Sequence, residues 1–301
     1  MGSGKTIFME KNNKSPFIIV LGIAQDAGVP QSGCNKSCCK SAWDDLSLRK
    51  FPTSLGIVDP ETNQRWLIDI TPDFKFQFNI LNKVSLTRNQ SQILDGIFFT
   101  HGHIGHFTGL ILFEKAAMNT NNIQVFAMPK MKKLLTDNFP WKSLVHHKNI
   151  KINTLTHRIE VKLNKRLSLL PFLVPHRSEY SETVGYIIKG SNKKILFIPD
   201  IDDWELFDKI DKIIKNVDVA FFDGTFFDAN ELPGRDITKV PHPFICDSIK
   251  RFSKLPLEGR KKIYFIHLNH TNQALNKFSK EYKLIIENGY NVAQEKMIIN
   301  I

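Results

Sequence analysis

Residues 100–106 read Thr-His-Gly-His-Ile-Gly-His and directly follow the apolar run Ile97-Phe98-Phe99. The apolar run predicts a buried strand, and three histidines stand at its end, where loops carry chemistry. Neutral imidazole is the commonest protein ligand for a transition metal, and His101 and His103 could point the same way from such a loop. A chance grouping of polar residues is the alternative. Three imidazoles at this spacing behind a strand favour a metal site.

The composition describes a globular protein without a membrane-spanning segment. Of 301 residues, 42% are hydrophobic and 11% aromatic, which is enough to bury one large core or two modest ones. The longest apolar runs, such as 17–23 and 195–198, are too short to cross a bilayer, and residues 1–15 lack the apolar core of a secretory signal. No Pro/Gly/Ser-rich linker interrupts the chain. We expect a flexible leader at 1–15, a single domain at 16–301 and a cytoplasmic location.

The charge of the chain favours an anionic partner. The formal net charge is +11, and the lysines are spread along the chain rather than massed in one block. Such a surface attracts phosphate-bearing or otherwise anionic molecules, so we expect a small anionic substrate. No helix-turn-helix, zinc-finger or aromatic RNA-binding signature is present, which disfavours nucleic acid without excluding it. No membrane partner is expected, and a homodimer stays open.

Short apolar runs alternate with amphipathic segments along the chain, which predicts a mixture of strands and helices. Strands are predicted at 17–24, 54–59, 65–70, 94–99, 123–127, 166–174, 184–189, 194–198, 217–222 and 262–266. Helices are predicted at 73–83, 107–117, 129–138, 203–215, 243–254 and 273–288. Turn residues at 60–63 and 190–193 indicate two hairpins. Two sheets flanked by helices, in the α/β (α+β) class, fit this order better than a doubly wound parallel sheet.

Three further potential metal ligands follow predicted strands: His176, Asp200 and His267. A single histidine after a strand is more often a surface or capping residue. Together with the triple-histidine loop, however, these strand ends would bring several imidazoles and one carboxylate to one rim. Catalytic metals use ligand sets of this kind.

Five groups of residues between positions 24 and 272 form a specific combination. They are Ala24-Gln25-Asp26-Ala27-Gly28 with Pro30-Gln31, Thr71-Pro72-Asp73, His101 to His106, Asp223-Gly224-Thr225 with Asp228 and Glu231, and His267-Leu268-Asn269-His270-Thr271-Asn272. In this combination the chain resembles the metallo-β-lactamase superfamily and, within it, the coenzyme PQQ biosynthesis protein B group. The resemblance runs from about residue 16 to the end of the chain. It implies a four-layer αββα sandwich with metal ions at one edge.

The resemblance also implies the ligands of two metal ions. The first site has three imidazoles, those of His101, His103 and His176. A carboxylate, that of Asp200, bridges the two ions. The second site has two further imidazoles, those of His106 and His267.

Position 105 departs from the superfamily pattern. The superfamily usually has aspartate directly before the third histidine of the loop, where this chain has Gly105. The second site therefore loses an oxygen ligand and a negative charge, so we expect it to be weak or empty unless another group supplies the oxygen. Asp73 and Asp202 are the candidate substitutes.

The cysteines form a second constellation. Cys34, Cys38 and Cys39 lie within six residues. A disulfide is the alternative, but adjacent cysteines do not easily pair, and such a cluster more often binds zinc in a reducing compartment. Three thiolates need a fourth donor, and a resemblance to phosphodiesterases of the superfamily implies that this donor is His270. Cys246 stands apart and is interpreted as a small buried hydrophobe.

His242 lies between two prolines, in Pro241-His242-Pro243. Related phosphodiesterases have a histidine in the same interval that serves as general acid or contacts the departing phosphate. The correspondence is one of order along the chain rather than of a shared motif. The alternative is a histidine held in a rigid loop without a catalytic role.

These observations lead to three hypotheses about function. The first is a hydrolase that uses a metal-bound hydroxide on a phosphodiester or other anionic ester, with Asp200 and His242 as catalytic residues. It would bind Zn²⁺, Mn²⁺ or Fe²⁺ at the catalytic site and structural Zn²⁺ at the cysteines. The second is an iron-dependent oxidation or hydroxylation step in cofactor biosynthesis, which the resemblance to the coenzyme PQQ biosynthesis protein B group implies. The third is a non-catalytic binding module.

Overall fold

The structure is a computed structural model that describes residues 14–85, 93–231, 233–234, 236 and 240–301. Residues 1–13 of the predicted leader lie outside these ranges, so the division into a leader and a domain at 16–301 stays a prediction. No helix within the described ranges is long and apolar enough to cross a membrane.

The described residues form two seven-stranded sheets. The first, in the order β14-β1-β2-β3-β4-β5-β6, contains β1 (Phe17–Gly22), β2 (Ser54–Asp59), β3 (Gln64–Ile68), β4 (Gly96–Phe98), β5 (Ile123–Ala127), β6 (Ile150–Thr154) and β14 (Ile298–Asn300). The second, in the order β13-β12-β11-β10-β9-β8-β7, contains β7 (Val161–Lys162), β8 (Ser168–Leu173), β9 (Val184–Lys189), β10 (Lys194–Ile198), β11 (Val219–Asp223), β12 (Ile263–Ile266) and β13 (Asn291–Val292). The α-helices are α1 (Ser37–Asp44), α2 (Phe74–Val84), α3 (Ile104–Phe107), α4 (Pro129–Asp137), α5 (Trp141–His146), α6 (Ile210–Lys215), α7 (Ile245–Phe252), α8 (Leu257–Arg260) and α9 (Lys280–Glu287).

Each sheet combines antiparallel and parallel strands. In the first, β1, β2 and β3 pair antiparallel, and β3 to β6 pair parallel. In the second, β7 to β10 pair antiparallel, and β10 to β13 pair parallel. The predicted hairpins at 60–63 and 190–193 therefore exist, between β2 and β3 and between β9 and β10. Along β3–β4 and β10–β12, the carboxyl ends of neighbouring strands lie at the same edge of their sheet.

The alternation of side chains along β1 shows how the layers are built. Ile18 and Val20 belong to a core that includes both sheets, whereas Ile19 and Leu21 belong to a core shared with α2, α4 and α5. Because successive strand residues face opposite sides, a strand that is apolar at every position is covered on both faces. Helices α6, α7 and α9 pack against the second sheet. The predicted four-layer αββα sandwich is confirmed.

The sequence-based secondary structure needs corrections at several positions. Every predicted strand overlaps an observed one, but the short strands β6, β7, β13 and β14 and the helices α1, α5 and α8 were not predicted. The predicted helix at 273–288 is interrupted, because the Ser279 side chain accepts a hydrogen bond from the Tyr282 backbone N–H and caps α9. Phe278 falls within the predicted helix but precedes α9, and it is 85% exposed.

Candidate metal centre

The predicted ligands meet at the edge of the sandwich where strands of both sheets end. His101 follows β4, His103 directly precedes α3, and His106 lies within α3. The other three follow strands of the second sheet, in the order His176 after β8, Asp200 after β10 and His267 after β12. All except His103 are buried. The structure thus brings together the six residues that the sequence assigned to two metal ions.

The first group consists of His101, His103 and His176. One ligand nitrogen of each lies within 4.8 Å of the others, and His101 Nε2 is 2.9 Å from His103 Nδ1. Two nitrogens bound to one tetrahedral zinc ion are ~3.3 Å apart, given Zn–N bonds of ~2.0 Å. Asp200 lies next to this group, with its carboxylate oxygens 4.0 Å from His101 Nε2 and 3.9 Å from His176 Nε2.

The second group lies on the other side of Asp200. The Nε2 atoms of His106 and His267 are 3.3 Å apart, and Asp200 Oδ2 lies 3.2 Å from the first and 3.4 Å from the second. Asp200 therefore stands between the two groups, as the resemblance implied for a bridging carboxylate.

A carboxylate that the sequence did not single out as a ligand also belongs to this second group. Asp26 follows β1, and its Oδ1 atom lies 3.3 Å from His106 Nε2 and 3.8 Å from His267 Nε2. Asp73 and Asp202, which the sequence suggested as substitutes for an acidic residue at 105, do not belong to this second group. Asp202 Oδ1 lies 2.8 Å from His176 Nδ1, although the pair lacks hydrogen-bond geometry, and Asp73 is in no potential ligand group of the described residues.

Several buried polar atoms of the centre lack a hydrogen-bond partner among the described residues. They are Asp26 Oδ1, Asp200 Oδ2, His176 Nε2 and His242 Nε2. Buried polar groups are nearly always paired, and leaving one unpaired costs ~1–3 kcal/mol. A cluster of such atoms on imidazoles and carboxylates fits divalent metal ions.

Buried residues behind the imidazoles fix their orientation. Asp69 accepts hydrogen bonds from the backbone and hydroxyl of Thr100, both 2.8 Å, and its Oδ2 atom lies 2.7 Å from His106 Nδ1. Thr225 Oγ1 lies 3.0 Å from His267 Nδ1. Because each Nδ1 atom is engaged, the Nε2 atoms of both rings face the centre, which is how outer partners orient metal-binding histidines.

The electrostatics differ between the two groups, because they favour neutral imidazoles at His101 and His103 and a protonated imidazole at His106. Burial lowers the pKa of His101 well below its ordinary value and lowers that of His103 to about 4. Burial would raise the pKa of Asp200, but the surrounding histidines hold it well below its usual range. Burial would lower the pKa of His106, yet Asp69, helped by Asp200 and Asp26, raises it well above its ordinary value. A positive charge is therefore favoured at the position that the second group surrounds.

His242 lies beside the ligand groups and is oriented by a second buried carboxylate. Its Nδ1 atom is 2.7 Å from Asp223 Oδ2, and its ring centroid is 5.4 Å from that of His176. Burial would lower the pKa of His242, but Asp223 raises it above its ordinary value. The ring thus retains a proton more readily than a free histidine does.

A cavity of about 580 Å³ opens beside the first group. Its charged or ionisable lining residues are Asp26, His103, Arg177 and Glu179, and the apolar part of its wall is formed by Ile104, Phe107, Leu134, Phe139, Trp141 and Tyr180. The positive charge of Arg177 helps to depress the pKa of His103, and its buried Nε atom lacks a partner among the described residues. The cavity therefore offers one cation, two carboxylates and an aromatic wall next to the metal centre.

The four residues predicted to bind structural zinc also lie together. The three Sγ atoms of Cys34, Cys38 and Cys39 and a nitrogen of His270 are within 4.8 Å of one another, and Cys34 Sγ is 3.7 Å from Cys38 Sγ. This set has the composition of a closed zinc site. Cys246, in α7, is half-buried rather than part of the core, so its interpretation as a buried hydrophobe is wrong.

Comparison with known proteins identifies the class to which this fold and centre belong. Residues 64–284, most of the chain, match the family described as the β-lactamase superfamily domain. The protein belongs to this superfamily, which confirms the prediction from the motifs.

Within the superfamily the chain is similar to coenzyme PQQ synthesis protein B. It is 26% identical to that protein of Xanthomonas axonopodis pv. citri (strain 306), over 94% of this chain and 99% of the relative. Zn²⁺-bound PqqB from Methylobacterium extorquens superposes with a TM-score of 0.80 at 21% identity, covering 95% of this chain and 100% of that one. A diphosphatase from the PhnP family gives a TM-score of 0.65 at 21% identity, over 95% and 97% of the two chains. These structural likenesses show a shared fold.

Proposed function

We propose that the protein is a metal-dependent hydrolase of a phosphodiester or other anionic ester. The observation that carries this proposal is the buried set of imidazoles around Asp200, with unpaired ligand atoms, beside a cavity that contains a cationic side chain. The net charge of +11 also suits an anionic substrate.

The ligand groups give each residue a role in binding the ions. His101, His103 and His176 would hold the first ion, His106 and His267 the second, and Asp200 would contact both. Zn²⁺, Mn²⁺ and Fe²⁺ all accept imidazole and carboxylate ligands. When bound, such ions supply Lewis acidity to a substrate oxygen and acidify water.

His242 is proposed as the general acid. Its Nε2 atom is buried without a partner among the described residues, and Asp223 at Nδ1 favours the protonated ring. A proton held at Nε2 can pass to the departing oxygen of the ester. This transfer matters most when the leaving group is basic.

Arg177 and the aromatic wall define the proposed substrate further. The guanidinium of Arg177 would bind a non-bridging oxygen or another anionic group, since its planar donors match phosphate and carboxylate. Phe107, Trp141 and Tyr180 would contact an apolar or aromatic group of the ester. The substrate class is thus an anionic ester with a flat apolar substituent.

The cysteine cluster is proposed to bind structural Zn²⁺. Its ligands come from two segments far apart in the chain, 34–39 and the loop that contains His270. A closed site of this kind contributes folding free energy rather than chemistry.

A direct assay separates hydrolysis from oxidation. Protein purified without added metal is reconstituted with Mn²⁺, Zn²⁺ or Fe²⁺ and given bis-p-nitrophenyl phosphate or a cyclic phosphodiester without oxygen. We expect metal-dependent release of the alcohol or phenol. Background rates with all three metals, across phosphodiesters, thioesters and lactones, would contradict the proposal.

The similarity to coenzyme PQQ synthesis protein B favours a second candidate function, an iron-dependent oxidation in cofactor biosynthesis. Imidazole and carboxylate ligands also suit Fe²⁺. In that case the iron-loaded protein would consume oxygen in the presence of a tyrosine-like substrate and show no anaerobic turnover.

A further inference from the structure

The space beside Gly105 is filled by Asp26. A Cβ atom on residue 105 would lie 2.8 Å from the Asp26 Cβ and closer still to its Cα and Oδ1 atoms. Such contacts are too short for carbon, so residue 105 must be glycine while Asp26 keeps this position. The carboxylate-bearing residue Asp26, from a distant loop, thus fills the space that a side chain at position 105 would need.

We propose that Asp26 is a ligand of the second metal ion and substitutes for an acidic residue at position 105. The proposal rests on the metal centre of the proposed function. Its basis is that Asp26 Oδ1 lies 3.3 Å from His106 Nε2 and 3.8 Å from His267 Nε2, and is buried without a hydrogen-bond partner among the described residues.

Asp26 changes the expected strength of the second site. Without it, this site has two imidazoles and the shared Asp200, and the sequence predicted a weak or empty site. With it, the site has four protein ligands, two of them anionic, which suits a divalent ion. The second ion therefore binds tightly, and the metal centre holds two ions.

The backbone holds Asp26 in place beside His267. The Gln25 N–H donates to the Leu268 carbonyl at 2.9 Å, and the Leu268 N–H donates to the Ile23 carbonyl at 2.8 Å. The loops that carry the two ligands are thus bonded to each other directly. Further along, the same two loops meet again at the cysteine cluster. Asp26 is therefore preorganised, which lowers the cost of binding an ion.

Metal titration of matched variants tests this role. Four metal-free proteins are titrated with Co²⁺ against a competing chelator. They are wild type, Asp26→Asn, Gly105→Ala and the double variant. Thiolate-to-cobalt absorption reports the cysteine cluster separately, so the ions at the catalytic centre are counted on their own. Asp73→Asn is the control, because Asp73 was the alternative suggested by the sequence and belongs to no ligand group of the described residues.

We expect wild type to bind two ions at the centre and Asp26→Asn to bind the second at least ~10-fold more weakly, since loss of an outer partner alone costs 10- to 100-fold. Gly105→Ala should weaken the same ion by displacing Asp26, with no further loss in the double variant. Unchanged affinity in Asp26→Asn, an equal loss in Asp73→Asn, or a single ion in wild type overturns the proposal. The test of Asp26 can be separated from the test of the reaction. A centre that binds one ion and shows turnover refutes only the role of Asp26. A centre that binds two ions and shows no turnover refutes only the proposed hydrolase function.

Discussion

The substitution Asp223→Asn should remove the general-acid function of His242 while leaving the metal ligands in place. The Asp223 Oδ1 atom accepts hydrogen bonds from the backbone and hydroxyl of Thr225, and the amide oxygen of asparagine can keep both. The amide nitrogen would then replace Oδ2, which lies 2.7 Å from His242 Nδ1 and accepts from the Ile201 N–H at 3.1 Å. An amide does not stabilise the protonated ring as a carboxylate does.

The expected losses of stability and of rate follow from these contacts. The buried Ile201 N–H loses its acceptor, which costs ~1–3 kcal/mol of stability. General acid catalysis contributes ~10²–10⁴-fold. We therefore expect Asp223→Asn and His242→Ala to slow the cleavage of a phenyl phosphodiester ~100-fold or more. The p-nitrophenyl ester should lose less than ~10-fold, because its departing oxygen needs little help from an acid.

The assay compares kcat for the two esters in wild type, both single variants and the double variant, after thermal unfolding and metal content have been measured for each. If Asp223 acts through His242, the double variant is no slower on the phenyl ester than His242→Ala alone. Equal losses on both esters would refute the general-acid role, and an additive loss in the double variant would refute the positioning role of Asp223.

Three further predictions concern metal affinity and stability. Asp69→Asn should lower the affinity of the second ion ~10–100-fold, because Asp69 orients His106, and unchanged chelator competition would contradict this. Cys38→Ser should lose zinc and lower the unfolding temperature by ~5 °C or more, whereas the control Cys246→Ser should do neither. Burial raises the pKa of Glu295 to about 7, so the folded state holds a proton that the unfolded state releases above about 4.5. Stability should therefore fall as pH rises from 5 to 8, and Glu295→Gln should remove part of this fall, as measured by urea unfolding at both pH values.

The strands that the sequence predicted are those with continuous or nearly continuous apolar runs. Strand β1 is buried at every position, so its run of six apolar or small residues could hardly be anything but a covered strand. Strand β6, at the edge of the first sheet, has one buried residue in five and gives no such signal. Strands β7 and β13 have two residues each, too few for any periodicity. These three strands form by pairing with neighbouring strands of their sheets, and their own sequences do not reveal that pairing.

Those residues of the candidate centre that follow strands could be predicted from the sequence. His101, His176, Asp200 and His267 were identified because polar ligands directly after apolar runs are easily recognised in a sequence. Asp26 was missed as a ligand, although its motif was noted, because nothing local links it to position 105. The signal was a pair of facts: a glycine where an aspartate is usual, and an aspartate in a loop after β1. Only the packing of that loop against α3 connects the two.

The charges at the centre give an independent reason to expect a divalent ion in the second group. The carboxylates of Asp26, Asp69, Asp200 and Asp223 lie within a few ångströms of the imidazoles. Burial of uncompensated charge is costly, and here the carboxylates raise the pKa of His106 and of His242 instead. One proton on His242 balances Asp223, where the structure provides a donor at 2.7 Å. The carboxylates of Asp26 and Asp200 lie on the Nε2 side of His106, and a single proton on that ring can balance only one of them. One divalent ion bound in the second group would replace that proton and balance both carboxylates.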